Sequence, residues 1–280
     1  MSPTQHVVMS VVKLLSSMDL THNNKDALDD PLARFTLVLA SVVHDVDHSG
    51  VPNETLVGEM DPVAVQYKGR SVAEQNSLDI CWKLLMKDEH KALRRVIYQN
   101  DSDLFRFREY LVHAVLVTDI VNKDLQTKRK ERWNKVFGAA PGSGQEEQAP
   151  PVIDEMETEA ERNNTRKTAL LELVIQASDV SHTMQHWHIF RQYNTCLYKE
   201  IHKAYKAGRG SADPYEGWYN GEIGFFKFYV IPLAERVKQS RGCGALGEEL
   251  YQYACSNLIE WEMKGKDICE DLRKAVESSS

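Results

Sequence analysis

The chain has 280 residues, 42% of them hydrophobic, enough for one large core or two small ones. Its 34 Lys and Arg against 41 Asp and Glu leave a net charge of −7, which argues against a nucleic-acid-binding face; an acidic chain that handles a phosphate would want metal ions to offset the repulsion. Five widely spaced cysteines (Cys81, Cys196, Cys243, Cys255, Cys269) without a CxxC suit a reducing, cytoplasmic setting, and no apolar run approaches the roughly 18 residues a membrane span needs.

Residues 5–18 place Val8, Val11, Val12 and Leu15 at helical spacing, predicting a core helix near the start of the chain. Residues 21–30 are a polar loop, and Pro31 suits the first turn of the next helix. That helix carries the stretch FTLVLASVVHDVDHSG at 35–50, in which Thr36 and Ser41 are the only polar members of the nine residues Phe35 to Val43 before His44, Asp45, Asp47 and His48 arrive together. Continued as a helix, it would set His44 and His48 on one face, four residues apart. Short helices and loops follow, broken by Pro52, Pro62 and Gly69. A helix at 71–87 opens with SVAE, a capping-box pattern that gives Glu74 a purely local role.

Further helices are predicted at 89–98 and 102–126, the second holding Thr118 and Asp119 after a strongly apolar stretch. Residues 138–151, rich in Gly, Pro, Gln and Glu, read as a flexible insertion loop within a single domain. The run ALLELVIQASDVSH ends in Asp179 much as the earlier run ends in Asp45. Residues 184–207 form a long helix with Trp187, Phe190, Tyr193, Leu197 and Ile201 along one side; 208–220 are a loop, and helices at 221–240 and 246–276 complete the chain. Almost nothing alternates with period two, so the fold class is all-α, about ten helices without a sheet.

Two carboxylates and an imidazole at the ends of apolar helices are costly to bury unless a cation sits with them. Imidazole plus carboxylate is the ligand set of a borderline-to-hard divalent ion such as Zn2+, Mn2+ or Mg2+. A carboxylate shared between two cations would serve in-line attack of water on phosphorus. The residues alone therefore suggest hydrolysis of a phosphate ester.

HDVDHSGVPN, SVAEQNS, VTDI, ASDVSH and GEIGFF, in that order and with fitting gaps, resemble the catalytic domain of class I cyclic-nucleotide phosphodiesterases, a metal-dependent (HD-type) family, from about Gln5 to about Asp267. The resemblance implies a compact multi-helix bundle that opens cyclic AMP or cyclic GMP to the 5′-monophosphate in nucleotide signalling, using a tightly held Zn2+ and a more exchangeable Mg2+ or Mn2+. It implies that His44, Asp45 and Asp179 ligate metal, Asp45 bridging both ions. His48 and Asn53 would lie near the second ion and the phosphate, with Glu74 and Asp119 organising the surroundings of that ion. Phe225 would stack on the purine opposite Leu197, and Glu222 stands where the family has the glutamine that reads the base edge.

The family's HNxxHA motif, source of the general acid and of a further metal ligand, has no counterpart in MSPTQ at 1–5, so the chain is expected to be an N-terminally truncated domain, one that could be joined to upstream regulatory or cyclase domains. His6 is the histidine that could stand in. An ionised Glu222 only accepts hydrogen bonds, which suits guanine N1–H and the 2-amino group and leans toward cyclic GMP. His182 and Ser77 stand where asparagine and histidine are more usual. The alternatives are a catalytically impaired nucleotide- or metal-binding regulatory module, and an HD-type hydrolase of another phosphate ester.

Overall fold

The computed structural model describes residues 3–19, 29–138, 158–210, 212–240 and 243–278; apart from Gly138 the insertion loop predicted at 138–151 lies outside them. Every regular element among these residues is helical, as the periodicity predicts. None of these helices is long and apolar enough to cross a membrane.

Helix α1 (Pro3–Asp19) buries Val7, Val11, Leu14, Leu15 and Met18, so its inward face is rotated from the predicted one and Val12 is exposed. Helix α2 (Pro31–Val43) starts on Asp30, whose Oδ1 accepts from Leu32 N at 3.1 Å, with Pro31 at the first turn where a missing N–H costs nothing. Its two buried hydroxyls are satisfied internally, Thr36 donating to Leu32 O at 2.6 Å and Ser41 to Val38 O at 2.7 Å. Short helices α3 (Asn53–Gly58) and α4 (Pro62–Gln66) follow, and with the start of α5 (Val72–Leu85) they enclose a small satellite core of Val51, Leu56, Ala64 and Val72.

Helices α6 (Lys91–Ile97), α7 (Asp101–Leu116) and α8 (Lys123–Phe137) replace the predicted helices at 89–98 and 102–126. The second prediction fails because Asp119 Oδ1 accepts from Val121 N and Asn122 N, each at 3.2 Å, taking donors that a continuing helix needs. Helix α9 (Glu159–Asp179) has a capping box between Thr158 and Glu161 and is buried at every position from Thr168 to Ser178, making it the central helix of the bundle.

Helix α10 (Trp187–Lys206) buries Phe190, Asn194, Tyr198 and His202. The predicted apolar stripe is thus only partly the core face, and Leu197 is 45% exposed. Helix α11 (Pro214–Phe225) begins inside the predicted loop, because Asp213 caps it by accepting from Tyr215 N at 2.9 Å. A π-helical turn at Phe226–Val230 then joins it to α12 (Ile231–Gln239), absorbing Pro232 where an unbroken α-helix would lose a hydrogen bond. Helix α13 (Gly244–Glu277) matches its prediction closely.

One contiguous core runs from Val11 in α1 to Cys269 in α13, with α9 through its middle. At its centre Trp261 and Phe226 both meet Phe190 edge-on, at 5.7 and 5.2 Å between ring centroids. Helices α11 and α13 approach so closely that a Cβ on Gly265 would lie 2.9 Å from the Trp261 and Tyr219 rings. The consequence for function is geometric: α2 and α9 pack against each other and bring their polar C-terminal ends to one place.

Candidate metal centre

Helix α2 stops at Val43. His44 keeps right-handed helical backbone and donates its N–H to Ala40 O at 2.9 Å, but Asp47 then takes φ 64° and the chain turns away. The expectation that His44 and His48 share a helical face is therefore wrong: four ionisable residues in five positions leave the helix by a tight turn. Ser77 on α5 pins that turn, its hydroxyl donating to Val46 O at 2.8 Å. Asn76 adds a hydrogen bond to Asp47 Oδ2 at 3.1 Å.

His44, Asp45 and Asp179 each offer one ligand atom, and these atoms all lie within 4.8 Å of one another. The Nε2 of His44 is 3.2 Å from Asp179 Oδ1 and 3.3 Å from Asp45 Oδ2, while its Nδ1 meets Ser41 O at 3.2 Å. A backbone carbonyl can only accept, so it fixes Nδ1–H and leaves Nε2 to face the carboxylates, the usual way an imidazole ligand is oriented. Burial works against a charge on His44, yet the hydrogen bonds it donates to Asp179 and Asp45 outweigh this and raise its pKa to about 10. The same contact lowers Asp45, against the effect of burial. The pair of carboxylates holds positive charge at Nε2, and a divalent ion in place of the proton satisfies the same three atoms. One imidazole and two carboxylates suit Zn2+, Mn2+ or Mg2+.

His48, Asn53, Glu74 and Asp119 line a single cavity of about 450 Å³ between the turn after α2, the start of α5 and the α7–α8 break, and His48 is near enough to the cluster to help lower the Asp45 pKa. Glu74 is not a capping residue. Ser71 has φ 40° and makes no cap; its hydroxyl donates instead to Asp119 Oδ2 at 2.6 Å. Glu74 Oε2 accepts from Asn53 Nδ2 at 3.0 Å, and Asn53 Oδ1 accepts from Ala73 N at 3.0 Å. Burial raises the Glu74 pKa, with Asp119 adding to it and Asn53 opposing. His48 Nδ1 accepts from Gly50 N at 3.2 Å, leaving its other nitrogen toward the cavity's polar groups. Ser71 and Asn122 were not legible as site residues; their signal was only their place beside Val72 and three residues after Asp119. In the structure Asn122 Nδ2 donates to Ser71 Oγ at 3.1 Å and completes the support of Asp119.

The base-recognition residues are less assembled. Phe225 stacks on Tyr229 at 5.4 Å and lines a second cavity that shares Ile120 and Val121 with the first. Glu222, one turn earlier on α11, has burial raising its pKa to about 7, opposed by a hydrogen bond with Asn194 of α10. Glu222 and Leu197 line neither of these two cavities. His6 does not join the metal cluster: its Nε2 meets Gln185 Nε2 at 3.1 Å and its ring packs on Tyr193 at 4.9 Å. His182 stacks on the same Tyr193 ring at 4.9 Å and lies 6.4 Å from His6, and burial lowers its pKa to about 4.

Comparison with known proteins decides among metal-binding helical folds. The profile of the 3′5′-cyclic nucleotide phosphodiesterase family matches residues 4–242. The chain belongs to this family. Among curated relatives, the mouse dual specificity calcium/calmodulin-dependent 3′,5′-cyclic nucleotide phosphodiesterase 1C is 22% identical over 167 residues, 60% of this chain and 20% of the relative. The Caenorhabditis elegans probable 3′,5′-cyclic-AMP phosphodiesterase pde-4 is 32% identical over 114 residues, 41% of this chain and 16% of the relative. The chain thus spans about a fifth of the length of such relatives. In structure it superposes on the phosphodiesterase domain of the Salpingoeca rosetta RhoPDE fusion protein with a TM-score of 0.65 at 19% identity, covering 95% of this chain and 78% of that one. The candidate metal cluster of this chain lies at the C-terminal ends of α2 and α9.

Proposed function

We propose that the chain hydrolyses 3′,5′-cyclic nucleotides to 5′-monophosphates. The observation that carries this reading is the convergence of His44, Asp45 and Asp179 from two separated helices of a phosphodiesterase-family fold. His44, Asp45 and Asp179 would hold a Zn2+-like ion, and Asp45, 62% exposed, would also serve a second Mg2+ or Mn2+. When bound, such ions polarise phosphoryl oxygens and lower the pKa of attacking water.

The chain's own groups then have distinct tasks. Asp119, fixed by Ser71 and by the N–H groups of Val121 and Asn122, accepts hydrogen bonds from water in the cavity. Glu74, with its raised pKa, holds or takes up a proton at Oε1 or Oε2 while Asn53 orients it. His48 faces the same cavity and hydrogen-bonds the phosphate. Phe225 would present an aromatic face to the purine, Glu222 would meet the base edge, and Leu197 of α10 would be the opposite wall. Above its pKa of about 7, Glu222 accepts only and selects guanine; below it, the carboxyl both donates and accepts, as an amide does. Cyclic GMP is therefore the favoured substrate at and above neutral pH.

The reading is tested by substrate panel. Metal-loaded protein is expected to release GMP from cyclic GMP and AMP from cyclic AMP while leaving simple phosphate monoesters intact. Metal binding without turnover would instead support a regulatory nucleotide-binding module, and activity on general esters alone would support a different phosphohydrolase.

A further inference from the structure

The break that frames Asp119 strands a buried carbonyl. In a continuing helix Val117 O would accept from Val121 N, but Val121 N donates to Asp119 Oδ1 at 3.2 Å instead. Val117 is 3% exposed, so water does not replace the missing donor. Two side chains from other helices do. Arg129 of α8 donates from Nη1 at 3.0 Å, and Gln176 of α9 donates from Nε2 at 3.4 Å, one to each lone pair of the carbonyl oxygen. The same Gln176 nitrogen meets Tyr229 OH, on the π-helical turn, at 3.2 Å. Gln176 is 6% exposed and stands three residues before Asp179. A single amide thus joins the helix that ends in Asp179 to the carbonyl two residues before Asp119. Arg129 is half-buried and forms no ion pair within the described residues; burial pulls its pKa down, and the charges of Tyr229, Glu172 and Asp119 oppose that pull.

We propose that Gln176 and Arg129 are positioning residues of the site: by replacing the lost helical donor at Val117 O they fix where Asp119 stands relative to Asp179, and with it the acceptor that Asp119 presents to the cavity. Neither side chain touches the metal cluster or substrate; both act through the backbone of the α7–α8 break. The nearer supports of Asp119 come from Ser71 at the start of α5 and from the N–H groups of Val121 and Asn122 within the break itself. The clamp on Val117 is what ties that assembly to α9. The inference rests on the hydrolytic reading for what Asp119 does, and on these hydrogen bonds for where it is held. Supports of this kind, one bond removed from a metal site, commonly carry about 10–100-fold in metal affinity or activity.

The test compares Gln176→Leu, Arg129→Met and Arg129→Lys with the parent chain. Metal that survives dialysis is counted by atomic emission, Mn2+ is titrated calorimetrically into the dialysed protein, and kcat and KM are measured with cyclic GMP. Retained metal is expected to be unchanged throughout. Mn2+ affinity and kcat should each fall by about tenfold in Gln176→Leu and Arg129→Met while KM stays close to the parent value. Arg129→Lys, which keeps an N–H for the carbonyl, should recover most of both. Arg129→Met and Arg129→Lys read the clamp from α8 where Gln176→Leu does not fold. Loss of retained metal in step with Mn2+ affinity, a rise in KM alone, or no recovery in Arg129→Lys would make these side chains general supports of the fold and overturn the proposal. Parent-like Mn2+ affinity in both Gln176→Leu and Arg129→Met, or no Mn2+ uptake by the parent, overturns it as well. A parent that takes up Mn2+ but releases no 5′-monophosphate defeats the hydrolytic reading instead, and the Mn2+ affinities still decide the clamp.

Discussion

His44 is the imidazole of the candidate metal centre, and its pKa is set by the two carboxylates beside it. Its folded pKa, about 10, lies above the ordinary 6.5, so in metal-free protein the proton on Nε2 contributes stability that is fully present below pH 6.5 and lost as the pH rises toward 10. The melting temperature of chelator-treated protein is expected to fall more across pH 6.5–10 than that of His44→Asn, which has no such proton; parallel curves for the two would refute the assignment. A bound divalent ion removes the difference, since it replaces the proton. Glu222 gives a second residue-scale expectation. The ratio of kcat/KM for cyclic GMP over cyclic AMP should climb as the pH passes about 7, and Glu222→Gln should flatten it. A flat ratio in the parent protein would exclude this carboxyl from base reading.

Much of this was legible residue by residue. His44, Asp45 and Asp179 announce themselves because ionisable groups at the end of an apolar run are expensive without a partner. Leu197 misled because an apolar residue at helical spacing does not say which of two adjacent faces packs, and here Phe190, Asn194, Tyr198 and His202 won.

At the scale of elements, side chains that compete with the backbone decide where helices stop. Asp119 breaks the predicted 102–126 helix, and Ser71 gives up the capping role its sequence context suggests in order to hold Asp119. These two contacts join the start of α5 to the α7–α8 break, which is what shapes the cavity around Glu74. Ser71→Ala removes the donor from a buried carboxylate and should cost about 1–3 kcal/mol in denaturant unfolding. It should also lower turnover more than metal binding, because Asp119 and not His44 is released. Equal losses in both would mean that Ser71 supports the fold generally.

For the whole molecule, the all-helical class followed from periodicity, because amphipathic helices write their spacing into the sequence while chain reversals do not. What periodicity could not supply was the packing of α2 on α9, a contact between residues 135 positions apart for His44 and Asp179. That contact turns two unremarkable helix ends into a candidate metal centre, and it is where the family fold and the side-chain chemistry agree. The most direct test is tightly bound metal in Asp179→Ala beside the parent chain, measured by atomic emission after dialysis and paired with release of 5′-monophosphate from cyclic GMP. The account predicts bound divalent metal in the parent and loss of both metal and product in the variant. Full metal occupancy and turnover in Asp179→Ala would contradict it.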